Sequence, residues 1–110
     1  MPKRDLLGGF EHVVMLALLR LQEGAYGVTV RQEIHRRTGR DVSLGAIYAT
    51  LDRLEAKGYV TSRVGDPTPE RGGRAKRLIK VTARGVQAAN RTQDVFHRMS
   101  EGLRLVRRLA

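Results

Sequence analysis

A small α+β fold, mostly α, is what three features of this 110-residue sequence predict. Three apolar stripes come first at helical spacing, alternation replaces them near residue 60, and helical spacing returns after residue 82. The expected order is three helices, a two-stranded hairpin and one long final helix. A chain of this length suits one small domain.

The first apolar block runs from Phe10 to Leu21, with Gly24 as its stop. Val13, Val14, Leu16, Ala17, Leu18 and Leu21 cover most of a helix circumference, so this helix is expected to be packed on two sides. A second helix begins near Gly27 or Val28, carries Val30 and Ile34 inward, and ends at Thr38-Gly39. Its last turn holds Arg36-Arg37, where positive charge complements the helix dipole. Asp41-Val42-Ser43 then supplies a turn and an N-cap. From Ser43 a third helix continues to Lys57 and stops at Gly58, with Leu44, Ile47, Leu51 and Leu54 as its buried stripe.

Beyond Gly58 the period becomes two. Val60, Ser62 and Val64 alternate with Tyr59, Thr61 and Arg63, and Ala75 to Val81 reads as the returning strand. Between them, Gly65 to Gly73 is a loop with two prolines and three glycines. Thr82 can cap a last helix reaching the C-terminus, about 28 residues or about 42 Å long. Along it Thr92, Phe96, Met99, Leu103, Val106 and Ala110 step 4-3-4-3-4, a heptad-like seam. Residues 1–82 are thus expected to form one domain and residues 83–110 a helix appended to it.

Charge narrows the function. Lys+Arg number 21 and Asp+Glu 11, for a formal net charge of +10, and 17 of the bases are arginine. Residues 1–60 hold nine bases and seven acids, and residues 61–110 hold twelve and four. Such an excess favours an anionic partner, most simply nucleic acid, since arginine grips phosphates bidentately and reads guanine. The competing explanation is a merely solubilising surface. With no cysteine, disulfides, thiol nucleophiles and Cys-based zinc sites are excluded. The apolar run Val13–Leu21 is interrupted by Arg20 and has half the length of a membrane span, so no membrane partner and a cytoplasmic location are expected.

Helix–helix–helix–hairpin is the order of a winged helix-turn-helix, with the second and third helices as the helix-turn-helix pair. If the third helix turns its leucines inward, its opposite face carries Gly45, Ala46, Ala49, Asp52, Arg53 and Ala56. Small residues near the N-terminus would let the backbone approach a DNA groove, and Ser43 could meet a phosphate. Tyr48 and Thr50 flank that face and can reach its rim. Alanine chosen for helix propensity alone is the competing reading. The hairpin adds Arg71, Arg74, Lys76, Arg77 and Lys80, suited to the minor groove or backbone. A charged edge that resists aggregation would look similar. The seam of the last helix suggests a partner helix, most simply from a second copy, with packing across its own domain as the alternative.

At this point the sequence resembles the PadR family of transcriptional regulators. The resemblance is carried by Tyr26-Gly27-Val28, by Ser43-Leu44-Gly45-Ala46-Ile47-Tyr48 and by Leu51-Asp52-Arg53-Leu54-Glu55-Ala56-Lys57-Gly58. Gly72-Gly73-Arg74-Ala75-Lys76-Arg77 and Thr82-Ala83-Arg84-Gly85 extend it to roughly residues 6–90. The tail is similar to the short subfamily, with a single C-terminal helix. The resemblance implies a homodimeric repressor whose first and last helices form the interface, released from operator DNA by a small aromatic or cationic ligand near that interface. It assigns DNA contacts to Tyr26, Ser43, Tyr48, Arg74 and Lys76. Arg53 lies in the same motif, with Asp52 or a phosphate as its partner. Interface positions under this reading are Phe10, Val14, Phe96, Met99, Leu103 and Val106. Two departures stand out: Leu78-Ile79 replaces the family's paired tyrosines, and there is no tryptophan on which a planar ligand would stack. Met15 and Met99 could line an adaptable pocket or simply pack in the core.

Two rival classes remain. For an enzyme, His12, His35 and His97 show no ligand-pair spacing, and no Ser-His-Asp order, phosphate loop or carboxylate pair is present, so no catalytic residue, metal or cofactor is expected. A nonspecific basic nucleic-acid binder or structural module without an effector is the second. Single-strand binders stack bases on exposed aromatics, and only Tyr26, Tyr48, Tyr59, Phe10 and Phe96 are on offer.

Overall fold

A computed structural model describes residues 6–65 and 76–105, which caps and apolar stripes divide into six elements. They are α1 (Gly9–Leu21), α2 (Gly27–Thr38), α3 (Leu44–Ala56), β1 (Val60–Val64), β2 (Arg77–Val81) and α4 (Ala83–Ser100). The helix starts are chemically explicit. Ser43 Oγ accepts from the Ala46 amide at 3.0 Å, and Thr82 Oγ1 accepts from the Gly85 amide at 3.1 Å. At α2 the Tyr26 amide donates to Thr29 Oγ1, and at α1 the Gly8 amide donates to Glu11 Oε1, both at 3.0 Å. Each bond satisfies a backbone donor that the helix itself leaves open.

The three-helix core is centred on Met15 and Leu18 of α1, Val30 and Ile34 of α2, and Ile47, Leu51 and Leu54 of α3, all buried. Truncating such a leucine to alanine costs about 2–5 kcal/mol. The hairpin closes one side. Its strands are antiparallel, pairing Val60 with Val81 and Ser62 with Ile79. Val60 and Ile79 point into the core, and the Ile79 amide donates to Ala25 O at 2.8 Å, tying β2 to the α1–α2 turn. The first half of α4 completes the core with Ala88, Ala89 and Thr92. Thr92 Oγ1 accepts from the Leu7 amide at 3.0 Å and donates to Ala88 O at 2.9 Å.

Three expectations are corrected. α4 has 18 residues, about 27 Å, and does not run to the C-terminus. Glu101 caps it in extended backbone and Gly102 follows at φ +83°, a left-handed turn that the heptad-like spacing of Leu103 does not survive. Thr92, the first residue of that seam, is buried in the domain's own core. Val14, expected at an interface between copies, is wholly buried within its own chain and leaves a partner nothing to touch. Val106, Arg71 and Arg74 lie outside the described residues.

Candidate nucleic-acid interface

The exposed surface of α3 is built from small side chains. Ile47, Thr50, Leu51 and Leu54 face inward, while Gly45, Ala46, Ala49, Asp52, Arg53 and Ala56 are exposed. Ser43 is exposed at its start; its oxygen serves the cap, which leaves the hydroxyl proton for an outside acceptor. Tyr48 leans away from this stripe onto the start of α2. A Cβ on Gly27 would lie 2.6 Å from its ring carbon and hydroxyl, so only glycine admits the ring there. Tyr48 as a whole remains 38% exposed. Beside it, Lys76 Nζ stands 4.7 Å from the centroid of the Tyr26 ring, a cation–π contact linking the hairpin to the N-terminus of α2. The fold thus brings Tyr26, Tyr48 and Lys76 to one corner, and Ser43, Ala46, Ala49 and Arg53 along one helix.

Glu33, Asp52 and Glu55 near that surface are each held by arginine, while exposed Asp41, just before Ser43, meets only His35 Nε2 at 3.4 Å. Arg77 faces α3, where its guanidinium meets Asp52 at 3.0 Å and Glu55 at 2.8 Å; Ser62 also donates to Glu55. The hydrogen bonds from Arg77 and Ser62 lower the Glu55 pKa below its ordinary value. On α2, Glu33 takes Arg36 at 2.7 Å and Arg37 at 3.0 Å, and these bonds, Arg36 foremost, lower its pKa. Arg31 and Arg40 are exposed with no carboxylate within 4 Å among the described residues.

Arg53 corrects the sequence reading. Its partner within the chain is not Asp52: Nη2 donates to Thr50 Oγ1, one turn earlier on α3, at 3.1 Å, and Nε lies 3.6 Å from Glu11 Oε2 on α1. The same carboxylate accepts from Lys57 Nζ at 3.0 Å. Burial raises the Glu11 pKa, but the Gly8 amide, Lys57 and Arg53 outweigh it and leave it lowered. Glu11 is not among the residues the sequence offers as a site, and Arg77, read there as one of the hairpin bases suited to DNA, is instead engaged by Asp52 and Glu55. A signal existed for each: the one acid of a mostly apolar helix, and one arginine on the inward-facing side of a strand.

The expected interface residues fall into two groups. Phe96, Met99 and Leu103 are 52%, 74% and 63% exposed, while Phe10 is half-buried at the edge of the core. Leu6, Leu16, Val95 and Leu105 add further exposed apolar surface. A separate cavity of about 600 Å³ lies between the end of α1, the outer face of the hairpin and Val86 of α4. Leu18, Leu19 and Leu78 line it together with Glu23, Arg63 and Lys80. No group of three His, Cys, Asp or Glu among the described residues is placed to hold a metal ion. None of the described helices is long and apolar enough to cross a membrane.

Three helices with a hairpin returning beside the third define a winged helix-turn-helix, a DNA-binding fold. The model of the transcriptional regulator PadR-like family matches residues 15–91, and the chain belongs to that family. It is therefore a sequence-specific, DNA-binding transcriptional regulator. Solved structures with the same fold include a PadR family transcription regulator from Clostridium difficile R20291. It is 16% identical, with TM-score 0.68 over 84% of this chain and 93% of that one. A PadR family regulator from Eggerthella lenta DSM 2243 is 23% identical, with TM-score 0.67 over 83% of this chain and 77% of that one. F93 from STIV, a winged-helix DNA-binding protein, is 15% identical, with TM-score 0.69 over 89% and 98%. Among curated proteins no match is found.

Proposed function

We propose that this regulator binds operator DNA in the cytoplasm as a homodimeric repressor, and that a small molecule releases it. Its work is binding, with no chemistry done on the DNA. The observation that carries this reading is the outward face of α3, where Ala46 and Ala49 are exposed and Asp52 and Glu55 alongside are held by Arg77. A surface that is small and poor in free negative charge suits the floor of a major groove. In this reading Ser43, Tyr26 and Tyr48 donate to phosphates, Arg53 and Lys76 add charge-assisted contacts, and Arg71 and Arg74, outside the described residues, contribute further contacts.

Residues 1–82 would read DNA and residues 83–110 would carry the contact between copies. Exposed Phe96, Met99 and Leu103, and half-buried Phe10 on α1, support pairing through α1 and α4, since isolated chains rarely leave so many large apolar groups in water. The cavity between α1 and the hairpin supports a small-molecule effector, its volume being in the range of ligand sites.

Competition binding tests the reading against a nonspecific basic module. Labelled duplex carrying the chain's own promoter should be displaced by unlabelled promoter at concentrations at least 100-fold below those of RNA or scrambled duplex. Equal displacement by all three would sink the repressor reading.

A further inference from the structure

Glu11 is a charge where the helix around it is apolar: Val14, Met15, Ala17 and Leu18 of α1 are buried, and the Glu11 side chain itself is 10% exposed. Capping the helix does not require that charge. The Gly8 amide needs only an acceptor at 3.0 Å, which a glutamine oxygen would supply equally well. What does require a carboxylate is the pair of cations from α3. Lys57 Nζ lies 3.2 Å from Oε1 and 3.0 Å from Oε2, and Arg53 Nε lies 3.6 Å from Oε2.

Arg53 continues the stripe of Ala46 and Ala49 on the exposed side of α3, at steps of three and four. The Arg53 side chain is 55% exposed; buried Thr50 accepts from Nη2, and Glu11 Oε2 stands 3.6 Å from Nε as an ion pair without a hydrogen bond. Nη1 has no partner among the described residues, so the guanidinium is drawn toward α1 while keeping donors for an outside anion.

We infer that Glu11 is a positioning residue for DNA recognition: by holding Arg53 and Lys57 against α1, it stops both cations from seeking phosphates indiscriminately. This rests on the assignment of the exposed α3 face to DNA. Unheld, a lysine and an arginine on flexible stems reach phosphates in many registers and add affinity for any duplex. Held, they contribute only where α3 is already seated and a phosphate stands within reach. Specificity is a difference of affinities, and suppressing the wrong complexes raises it.

The test uses the full chain and two labelled duplexes, the promoter and a scrambled version of it, from 50 to 300 mM KCl. In Glu11→Gln the scrambled duplex should bind three- to tenfold more tightly at 50 mM. Its plot of log K against log salt should steepen by about 0.9, one further phosphate neutralised. The ratio of promoter to scrambled affinity should fall at least threefold. In a chain already carrying Arg53→Ala and Lys57→Ala, adding Glu11→Gln should change neither slope nor ratio. An unchanged slope and ratio with a lower thermal midpoint would reduce Glu11 to a tie between helices. The same shift persisting without Arg53 and Lys57 would reduce it to net charge. Should Glu11→Gln fail to fold, Glu11→Asp, one methylene shorter, must steepen the slope in the same direction or the inference is overturned. The scrambled-duplex slope remains readable even if the wild-type chain shows no preference for the promoter, so loss of the repressor reading is distinguishable from loss of this one.

Discussion

Two exposed surfaces of this protein depart from an ordinary solvated surface, and they depart in opposite ways. The outward side of α3 is too small: Gly45, Ala46, Ala49 and Ala56 leave backbone near the surface, and Asp52 and Glu55 beside them are tied up by Arg77. The far half of α4 is too large. Every residue from Gln93 to Met99 is exposed, Val95, Phe96 and Met99 included, although the near half of the same helix is buried through Ala88, Ala89 and Thr92. Small residues cannot repay burial by apolar area, so a surface made of them suits an approach limited by distance, as in a groove. Large apolar residues repay burial by area alone, so a surface made of them suits another apolar helix.

The comparison breaks first on α4. Phe96→Asp together with Leu103→Asp should abolish dimerisation. Each apolar side chain returned to water forfeits about 1.5–3 kcal/mol, and a homodimer loses four, two per copy, so association weakens by roughly ten-thousandfold or more. Sedimentation should then find monomers at concentrations where the unaltered chain is dimeric, with the thermal midpoint of the monomer retained. A double variant that stays dimeric would put the interface elsewhere.

A smaller but sharper effect belongs to α3. Ala49→Glu places a carboxylate on the side proposed to enter the groove, facing phosphates and base edges. Promoter affinity should fall about 100-fold, equivalent to about 3 kcal/mol. Exposed substitutions of this kind change stability by about 0.5 kcal/mol, so the thermal midpoint should stay within about 3 °C. Unaltered DNA binding in this variant would remove that side of α3 from the groove and leave its alanines to helix propensity.

What was legible in the sequence was local. Ser43 and Thr82 announce helices because a hydroxyl oxygen three residues before a free amide is a short-range device, and both caps form. Of the stripe Leu44, Ile47, Leu51 and Leu54, the last three are wholly buried and Leu44, at the helix start, is half-buried. The switch to alternation at Val60 marks the hairpin, and the run from Ser43 to Gly58 carries the family resemblance. Interactions across the chain were not legible. Glu11 and Arg53 are 42 positions apart, and nothing in the period of either helix pairs them. The end of α4 was misread for another reason: apolar spacing continues through Leu103, but the left-handed backbone at Gly102 interrupts the helix that would give the spacing meaning. Val14 was misplaced because a helix apolar all round does not say which side its own domain covers.

The smallest expected effect sharpens the contrast through pH. Glu11, Glu33 and Glu55 all titrate below their ordinary value of 4.5 in the folded chain, and the cations that hold them lie on α2, α3 and β2, on the DNA-reading side. A carboxyl whose folded pKa is depressed binds its proton more readily in the unfolded chain. Its contribution to stability is therefore complete above the unfolded pKa and is lost as pH falls through the folded one. The urea midpoint should be level from pH 7 to about 5 and fall from about 4.5 downward. Glu11→Gln combined with Glu55→Gln should start from a lower midpoint at pH 7 and descend less steeply, because two of the protons that drive the descent no longer bind. Phe96→Asp with Leu103→Asp leaves those clamps in place and should retain the steep wild-type fall. If the glutamine variant falls as steeply as the wild-type chain between pH 5 and 3, the clamps at α3 contribute nothing to holding that side closed. The charge-poor character of its outward surface would then owe nothing to Glu11 or Arg77.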